Sequence, residues 1–357
     1  MKLDTTWRKA LKLASLRPIL CLASLVYYTV IITRNFLYNI GFLKSSLSSI
    51  PTICIGNISV GGTGKTPLVC HIAKIKSESH KVGILTRGYG GTLDKTSPYL
   101  ARSEDQAEKI GDEAKLYQVL LNENSPLLII SPDRVAGNMA LKEAGAELCI
   151  MDDGLQHLAI KPTMRICLID VADISSYYNQ GTCSLLPAGI FREPVKQAIS
   201  RTDWITFTSK CEITTEGFQT IEKLASYLKI KSYSVIEFKP STIRDGYSGE
   251  IRQIEPDRSY SLTTSIAKPE PLTKSYLELG ARIIDKAIFP DHYAYSLEDW
   301  KKISGKNTVL SSAKDWVKLK PYLTENHQLY FIEQEVIDLS SENNRLLDVI
   351  NRMLTIS

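Results

Sequence analysis

The stretch from Pro51 to Pro67, Pro-Thr-Ile-Cys-Ile-Gly-Asn-Ile-Ser-Val-Gly-Gly-Thr-Gly-Lys-Thr-Pro, constrains this chain more than any other. An apolar run, Ile53-Cys54-Ile55, ends in a glycine-rich turn that closes on Gly64-Lys65-Thr66, and a helix-compatible segment from Leu68 to Lys76 follows. Strand, loop and helix in that order describe a P-loop. Consecutive backbone N–H groups converge on one spot, Lys65 reaches the terminal phosphates of a nucleotide, and the Thr66 hydroxyl ligates Mg²⁺. Asn57, Gly61, Gly62, Thr63 and Gly64 complete the expected ATP-binding set. Two positions depart from known loops. Ser59 stands five residues before Gly64, where the pattern asks for glycine, and Val60 stands where membrane-associated switch ATPases place a second lysine.

From residue 53 to 151, β-prone apolar runs alternate with helical patterns: strands over 82–86, 127–130 and 148–151, helices near 112–122 and 134–143. Successive βαβ units predict an α/β fold, a mostly parallel sheet with helices on both faces, whose strand C-termini carry the chemistry. Four loops there hold motifs. Arg87-Gly88-Tyr89-Gly90-Gly91 lets backbone approach a ligand closely. Gly111-Asp112-Glu113 opens a helix, where carboxylates ordinarily cap. Ser131-Pro132-Asp133-Arg134 reads as a plain cap. The last is the most informative: Leu148-Cys149-Ile150-Met151 runs into Asp152-Asp153-Gly154-Leu155-Gln156-His157, and an apolar strand ending in Asp is how a P-loop enzyme holds its Mg²⁺ shell.

Further strands are expected over 165–170 and 204–208, separated by Phe191-Arg192-Glu193-Pro194, a charged pair suited to an anion clamp. Beyond about residue 235 the pattern restarts, with a charged turn around 244–250. Three parts are expected: an N-terminal membrane-associated helix (1–44), a P-loop domain (45–238) and a second, smaller α/β domain (239–357) that would close over the active site. Phe289-Pro290-Asp291-His292-Tyr293 sits at a strand-to-loop transition in that last part.

Charge separates the first 44 residues from the body. They carry seven Lys or Arg against one acid, a net +6, so the remainder carries −2 of the total +4. No basic footprint for nucleic acid exists in the body, and no feature calls for an obligate protein partner. An uncharged apolar run over 19–33 reaches roughly 22 Å as a helix, short of a ~30 Å hydrocarbon core. It suits an interfacial helix, a short anchor or a buried helix packed on the protein, and either membrane reading leaves Lys and Arg on the cytoplasmic side. The seven cysteines lack Cys-x-x-Cys spacing and read as reduced core residues.

Taken as one unit, residues 56–67 resemble the lipid A 4′-kinases, the tetraacyldisaccharide 4′-kinase family. Arg87-Gly88-Tyr89-Gly90, Gly111-Asp112-Glu113, Asp152 to His157, Arg192-Glu193-Pro194, Asp291-His292 and Lys314-Asp315 match its motifs in order. Ala114, Leu155 and Ser312-Ala313 depart from them. The resemblance implies transfer of the ATP γ-phosphate to the 4′-hydroxyl of a tetraacylated glucosamine disaccharide 1-phosphate, an anionic glycolipid, at the cytoplasmic face of the bacterial inner membrane. It implies Asp112 and His292 as a dyad activating that hydroxyl, with Lys65 on the phosphates and Thr66, Asp152 and Asp153 around Mg²⁺. Arg87, Glu113, Gln156, Arg192 and Glu193 would contact substrate or anion. The competing expectation is a membrane-docked P-loop ATPase or GTPase switch, which would release only free phosphate.

Overall fold

The alternating runs fold into one continuous sheet in the computed structural model, which describes residues 16–356 apart from 95, 122–125, 178–180, 292 and 306. The first half supplies β1 (Ser46–Leu47), β2 (Thr52–Asn57), β3 (Val82–Thr86), β4 (Tyr99–Leu100), β5 (Leu127–Ile130), β6 (Leu148–Asp152), β7 (Ile160–Lys161), β8 (Met164–Asp170) and β9 (Trp204–Ser209). The second supplies β10 (Tyr233–Asp245), β11 (Ile251–Arg252), β12 (Ser259–Thr264), β13 (Arg282–Ile288), β14 (Thr308–Ser312) and β15 (Leu329–Asp338). Among the described residues the strand order is β13-β12-β14-β15-β10-β9-β8-β2-β6-β3-β5-β4, with β11 beside β10 and a separate β1–β7 pair. Pairings along this order are parallel except β10 with β15, β10 with β11, and β4 with β5.

Covering helices bury both faces of the parallel strands, so every residue of β2, β3 and β6 is buried. The helices that matter for the site are α1 (Arg17–Asn39), α2 (Lys65–Lys76), α3 (Asp112–Leu120), α4 (Arg134–Glu143), α5 (Val171–Tyr177), α6 (Pro269–Glu278), α7 (Ala313–Leu319) and α8 (Leu346–Ile356). Ile53, Ile55, Leu68, Ile72 and Ile84 form one core without exposed surface. Each such side chain contributes about 1.5–3 kcal/mol of burial.

The junction of the halves is a two-stranded ribbon. β10 pairs with β9 only through Glu237, continues with β15 to Asp245 with β11 joining its other edge at Ile243 and Arg244, and shifts register between Pro240 and Ile243. Proline lacks the N–H a regular ladder needs there. β10 therefore runs through the first part of the charged turn expected over 244–250, and the turn proper is confined to 246–249. α8 returns to the first half, where Leu346, Val349 and Ile350 complete the core around Ile53 and Leu68.

α1 is turned inside out relative to a soluble helix. Ile19, Leu22, Val26 and Val30, at helical spacing, are each more than half exposed, while Ser24 and Asn35 are buried against the protein. Ser24 Oγ donates to the Leu185 carbonyl at 3.0 Å, the Tyr27 hydroxyl to the Arg192 carbonyl at 2.7 Å, and Asn35 Nδ2 to Gln197 Oε1 at 3.1 Å. With 23 residues the helix extends past the apolar run expected over 19–33 and has the length and composition to cross a membrane; the basic segment Trp7 to Lys12 lies outside the described residues. The expectation of seven reduced cysteines needs correcting. Because α1 lies across residues 181–184, Cys21 and Cys183 meet with Cα atoms 5.0 Å apart and form a disulfide, whereas Cys54, Cys149 and Cys167 are buried thiols.

Candidate active site

The central position of β2 determines the site. Its C-terminal end releases the chain at Asn57 into the loop 58–64, and its neighbours β6 and β8 end beside it in Asp152 and Asp170. Gly64 caps α2 at φ +85°, and a Cβ there would overlap the Phe238 ring of β10. Only glycine fits both demands. Ser59 is accommodated because the loop pairs like a strand with 190–192. Ser59 bridges Phe191, the Val60 N–H donates to the Ile190 carbonyl at 2.8 Å, and the Arg192 N–H donates to the Ile58 carbonyl at 2.7 Å. Ser59 Oγ then donates to Asp173 Oδ2 at 3.1 Å, a bond glycine could not make.

Two adjacent carboxylates diverge in character. Asp152 is 2% exposed and its Oδ1 has no hydrogen-bond partner. Burial, then the charges of Glu113 and Asp153, push its pKa up to about 7. Asp153 adopts φ +49° and accepts from Arg192 Nη1 at 3.0 Å on both oxygens, with Lys65 Nζ 3.4 Å away. Burial alone would raise its pKa, but Lys65 and Arg192 outweigh that and hold the carboxyl below the usual range. Asp153 is thus ion-paired, whereas Asp152 presents a buried acceptor awaiting a cation. Thr66, 6% exposed, begins α2 on the neighbouring element. Among the described residues no three His, Cys, Asp or Glu side chains form a ready-made metal cage. One or two protein oxygens suffice for Mg²⁺, which draws its other ligands from phosphate and water, so this donor set fits that ion.

A chain of amides holds the loop. Lys65 Nζ donates to Asn57 Oδ1 at 3.0 Å, Asn57 Nδ2 to the Ser59 carbonyl at 2.7 Å, and Gln156 Nε2 to both the Asn57 carbonyl at 3.0 Å and Glu193 Oε1 at 2.9 Å. Glu193 has no exposed surface and also receives Arg201. It cannot touch an anion, which corrects the expected clamp: within the Arg192-Glu193 pair only Arg192 remains available, and Glu193 acts by holding Gln156.

Asp112 and Glu113 open α3, and the Glu113 carboxylate interacts electrostatically with both Lys65 and Asp152. Asp112 is 8% exposed, and its Oδ1 accepts the Glu113 N–H at 3.0 Å. Glu113 Oε1 accepts Lys314 Nζ of α7 at 2.6 Å, and that lysine lowers the Glu113 pKa. Within the chain this loop packs backbone to backbone: a Cβ at Gly91 would press on the Lys109 carbonyl, and one at Gly111 on the Tyr89 carbonyl. Gly90 stays open toward Asp112, a Cβ there lying 4.0 Å from Oδ1. Arg87 is exposed. Burial, then Arg134 and Arg87, lower the His157 pKa to about 4, so that ring is neutral at pH 7. His292 lies outside the described residues, and beside it Phe289, Tyr293 and Tyr295 pack ring against ring. A second ion pair joins the halves: Lys268, just before α6, sits 2.6 Å from Asp173 and 3.6 Å from Asp170.

Asp133 is the expected cap, accepting from the Val135 and Ala136 N–H groups. Arg134 does more than continue a helix, because its buried Nη2 donates to the Asp152 carbonyl at 2.8 Å. Arg134, Asp170, Asp173, Lys210 and Lys268 were not singled out from the sequence. Asp170 and Lys210 had a signal, since each stands at the C-terminal end of an apolar parallel strand; Lys268 had none, because its partners are about a hundred residues away.

The sequence model of the tetraacyldisaccharide-1-P 4′-kinase family matches residues 16–354. A tetraacyldisaccharide 4′-kinase of Idiomarina loihiensis is 28% identical over 346 residues, covering 96% of each chain. One from Francisella philomiragia is 31% identical over 290 residues, covering 78% of this chain and 84% of the relative. The crystal structure of LpxK from Aquifex aeolicus in complex with ATP superposes with a TM-score of 0.73 at 26% identity, covering 95% of this chain and 99% of that one. A match running through the P-loop, both carboxylate pairs and the returning helix α8 leaves one conclusion: the chain belongs to the tetraacyldisaccharide-1-P 4′-kinase family.

Proposed function

We propose that this chain transfers the γ-phosphate of ATP to the 4′-hydroxyl of a tetraacylated glucosamine disaccharide 1-phosphate, a step of lipid A synthesis, at the cytoplasmic face of a bacterial inner membrane. The observation that carries this reading is the family match over residues 16–354. It coincides with a P-loop lysine and a buried carboxylate, Lys65 and Asp152, that both interact electrostatically with Glu113.

Lys65 rests on Asn57 and Asp153; a triphosphate offers it more charge, and Nζ moves to the β- and γ-phosphates. Arg192, drawn from Asp153 in the same way, adds a second cation to the transferring group. Thr66 and Asp152, with Asp153 beside them, would hold Mg²⁺, which when bound neutralises charge developing on the phosphates. Asp112 takes the proton of the 4′-hydroxyl as its oxygen bonds to the γ-phosphorus. The bond from that phosphorus to the β–γ bridging oxygen breaks, and ADP leaves. His292 shares the proton with Asp112, which raises the competence of a carboxylate that alone is a weak base. Glu113, fixed by Lys314, Arg87 and Gln156 shape the acceptor side. The exposed apolar stripe of α1 docks in the bilayer that holds the lipid, and the Tyr27–Arg192 bond connects that helix to the phosphate site.

Purified protein incubated with ATP, Mg²⁺ and the disaccharide 1-phosphate in detergent tests the reading. A bisphosphorylated glycolipid is expected. Free phosphate with unchanged glycolipid would replace this reading with a nucleotide-hydrolysing switch.

A further inference from the structure

Four lysines surround the P-loop, and three of them are neutralised. Lys65 has Asp153 at 3.4 Å, Lys268 has Asp173 at 2.6 Å and Lys314 has Glu113 at 2.6 Å. Lys210, immediately after β9, differs: among the described residues it forms no ion pair and no hydrogen bond. Its ammonium nevertheless lies against the loop, because a Cβ placed on Gly62 would be 2.8 Å from Lys210 Nζ. Gly62 thus marks the point where the Lys210 ammonium meets the phosphate-binding turn. Two residues earlier, Thr208 Oγ1 donates to the Thr63 carbonyl at 3.1 Å, which ties the end of β9 to the P-loop.

We propose that Lys210 is a nucleotide-binding residue, a second P-loop cation whose ammonium contacts the phosphate chain of the bound nucleotide from the β9 side. A half-buried ammonium without a partner is costly, and a site retains one where a ligand supplies the missing charge. The charged groups facing it are Asp170 of β8, Asp173 of α5, Lys268 before α6 and Lys314 of α7. Both aspartates are already engaged with Lys268. Burial first, with Lys314 and Lys268 adding repulsion, lowers the Lys210 pKa to about 8, as expected of a cation whose counter-ion has yet to arrive.

The proposal rests on the kinase reading, and its test separates the two. Equilibrium binding of ATP, ADP and adenosine is measured by calorimetry for wild type, Lys210→Met and Lys210→Arg, alongside the melting temperature of each. Lys210→Met should weaken ATP and ADP binding by roughly ten- to a hundredfold, the range for a hydrogen bond to a charged group. Adenosine binding should stay unchanged, and Lys210→Arg should recover most of the loss. KM for ATP should rise more than kcat falls. Proton uptake on ATP binding at pH 8, read from the dependence of the heat on buffer ionisation, should be smaller in Lys210→Met than in wild type. Equal losses for adenosine and ATP, or unaltered ATP affinity in a folded Lys210→Met, would overturn the assignment by showing a packing role. Wild-type protein that fails to bind ATP at all would instead overturn the kinase reading.

Discussion

Asp315 offers a test of how the second half is set against the first. Without exposed surface, its carboxylate accepts from the Ser265 N–H at 3.0 Å, the Thr264 hydroxyl at 2.7 Å, the Ser312 hydroxyl at 2.6 Å and the Tyr295 hydroxyl at 3.1 Å, with Lys318 Nζ 3.2 Å away. One side chain thereby joins the end of β12, the start of α7 and the aromatic segment following residue 292, and it stands next to Lys314, which crosses to Glu113. Asp315→Asn keeps the volume but replaces one acceptor oxygen by an NH₂ group directed at donors, and leaves Lys318 without its counter-ion. Breaking a buried pair of this kind costs about 3–5 kcal/mol, a large share of a typical 5–15 kcal/mol of stability. Urea unfolding at pH 7 should show that loss. Burial pushes the Asp315 pKa up, but Lys318 and the hydroxyls of Ser265, Ser312 and Thr264 outweigh it and leave the folded value depressed. A depressed carboxylate contributes stability that is complete above its unfolded pKa and is lost as pH falls through the folded value. The difference between wild type and Asp315→Asn should therefore be constant from pH 8 to 5 and narrow only below about pH 4. A loss under 1 kcal/mol at pH 7, or a difference already narrowing at pH 6, would refute the reasoning.

Four further outcomes are expected. Lys65→Ala should abolish nearly all phosphoryl transfer while its circular dichroism stays native, and turnover at the wild-type rate would remove Lys65 from the site. Thr66→Ala and Asp152→Asn should each shift the Mg²⁺ titration of activity to higher concentration, whereas two unshifted titrations would take both out of the metal shell. A double-mutant cycle of Glu113→Gln with Lys314→Met, read as kcat/KM for the glycolipid, should show coupling of about 1–3 kcal/mol; strict additivity would mean the ion pair does not shape the acceptor side. Replacing Ile19, Leu22, Val26 and Val30 together by Ser should release the protein from anionic vesicles and raise apparent KM there about tenfold, since each loses a few kcal/mol of apolar burial in lipid; retention on vesicles would show that α1 does not dock there.

Local pattern made the first half legible. β3, β5 and α4 follow the expected residues to the position, because buried parallel strands and the helices between them carry their burial in their own periodicity. The P-loop and Asp152-Asp153 were readable for the same reason, since both are contiguous motifs at strand ends. What stayed hidden depends on distance along the chain. Nothing near Glu193 announces that its carboxylate is consumed by Gln156 and Arg201, and nothing near Cys21 announces Cys183, 162 residues away. Of β10 the sequence shows only that the pattern restarts beyond about residue 235; its continuation past Pro240, where Ile243 and Asp245 are buried against β15, has no apolar run to mark it.

The return of α8 to the first core bears on how the protein is made. Leu346, Val349 and Ile350 are buried among residues synthesised almost three hundred positions earlier, around Ile53, Leu68 and Ile72. Until Leu346, Val349 and Ile350 have been made, the nucleotide half lacks one wall and keeps an apolar surface open beside α2. At roughly 5–20 residues per second, the second half takes several to tens of seconds to emerge, and during that time the first half waits incomplete. The core beneath the P-loop is therefore completed only once residues 346–350 have been made, so maturation of the nucleotide half is tied to synthesis of α8 and not to synthesis of the loop itself.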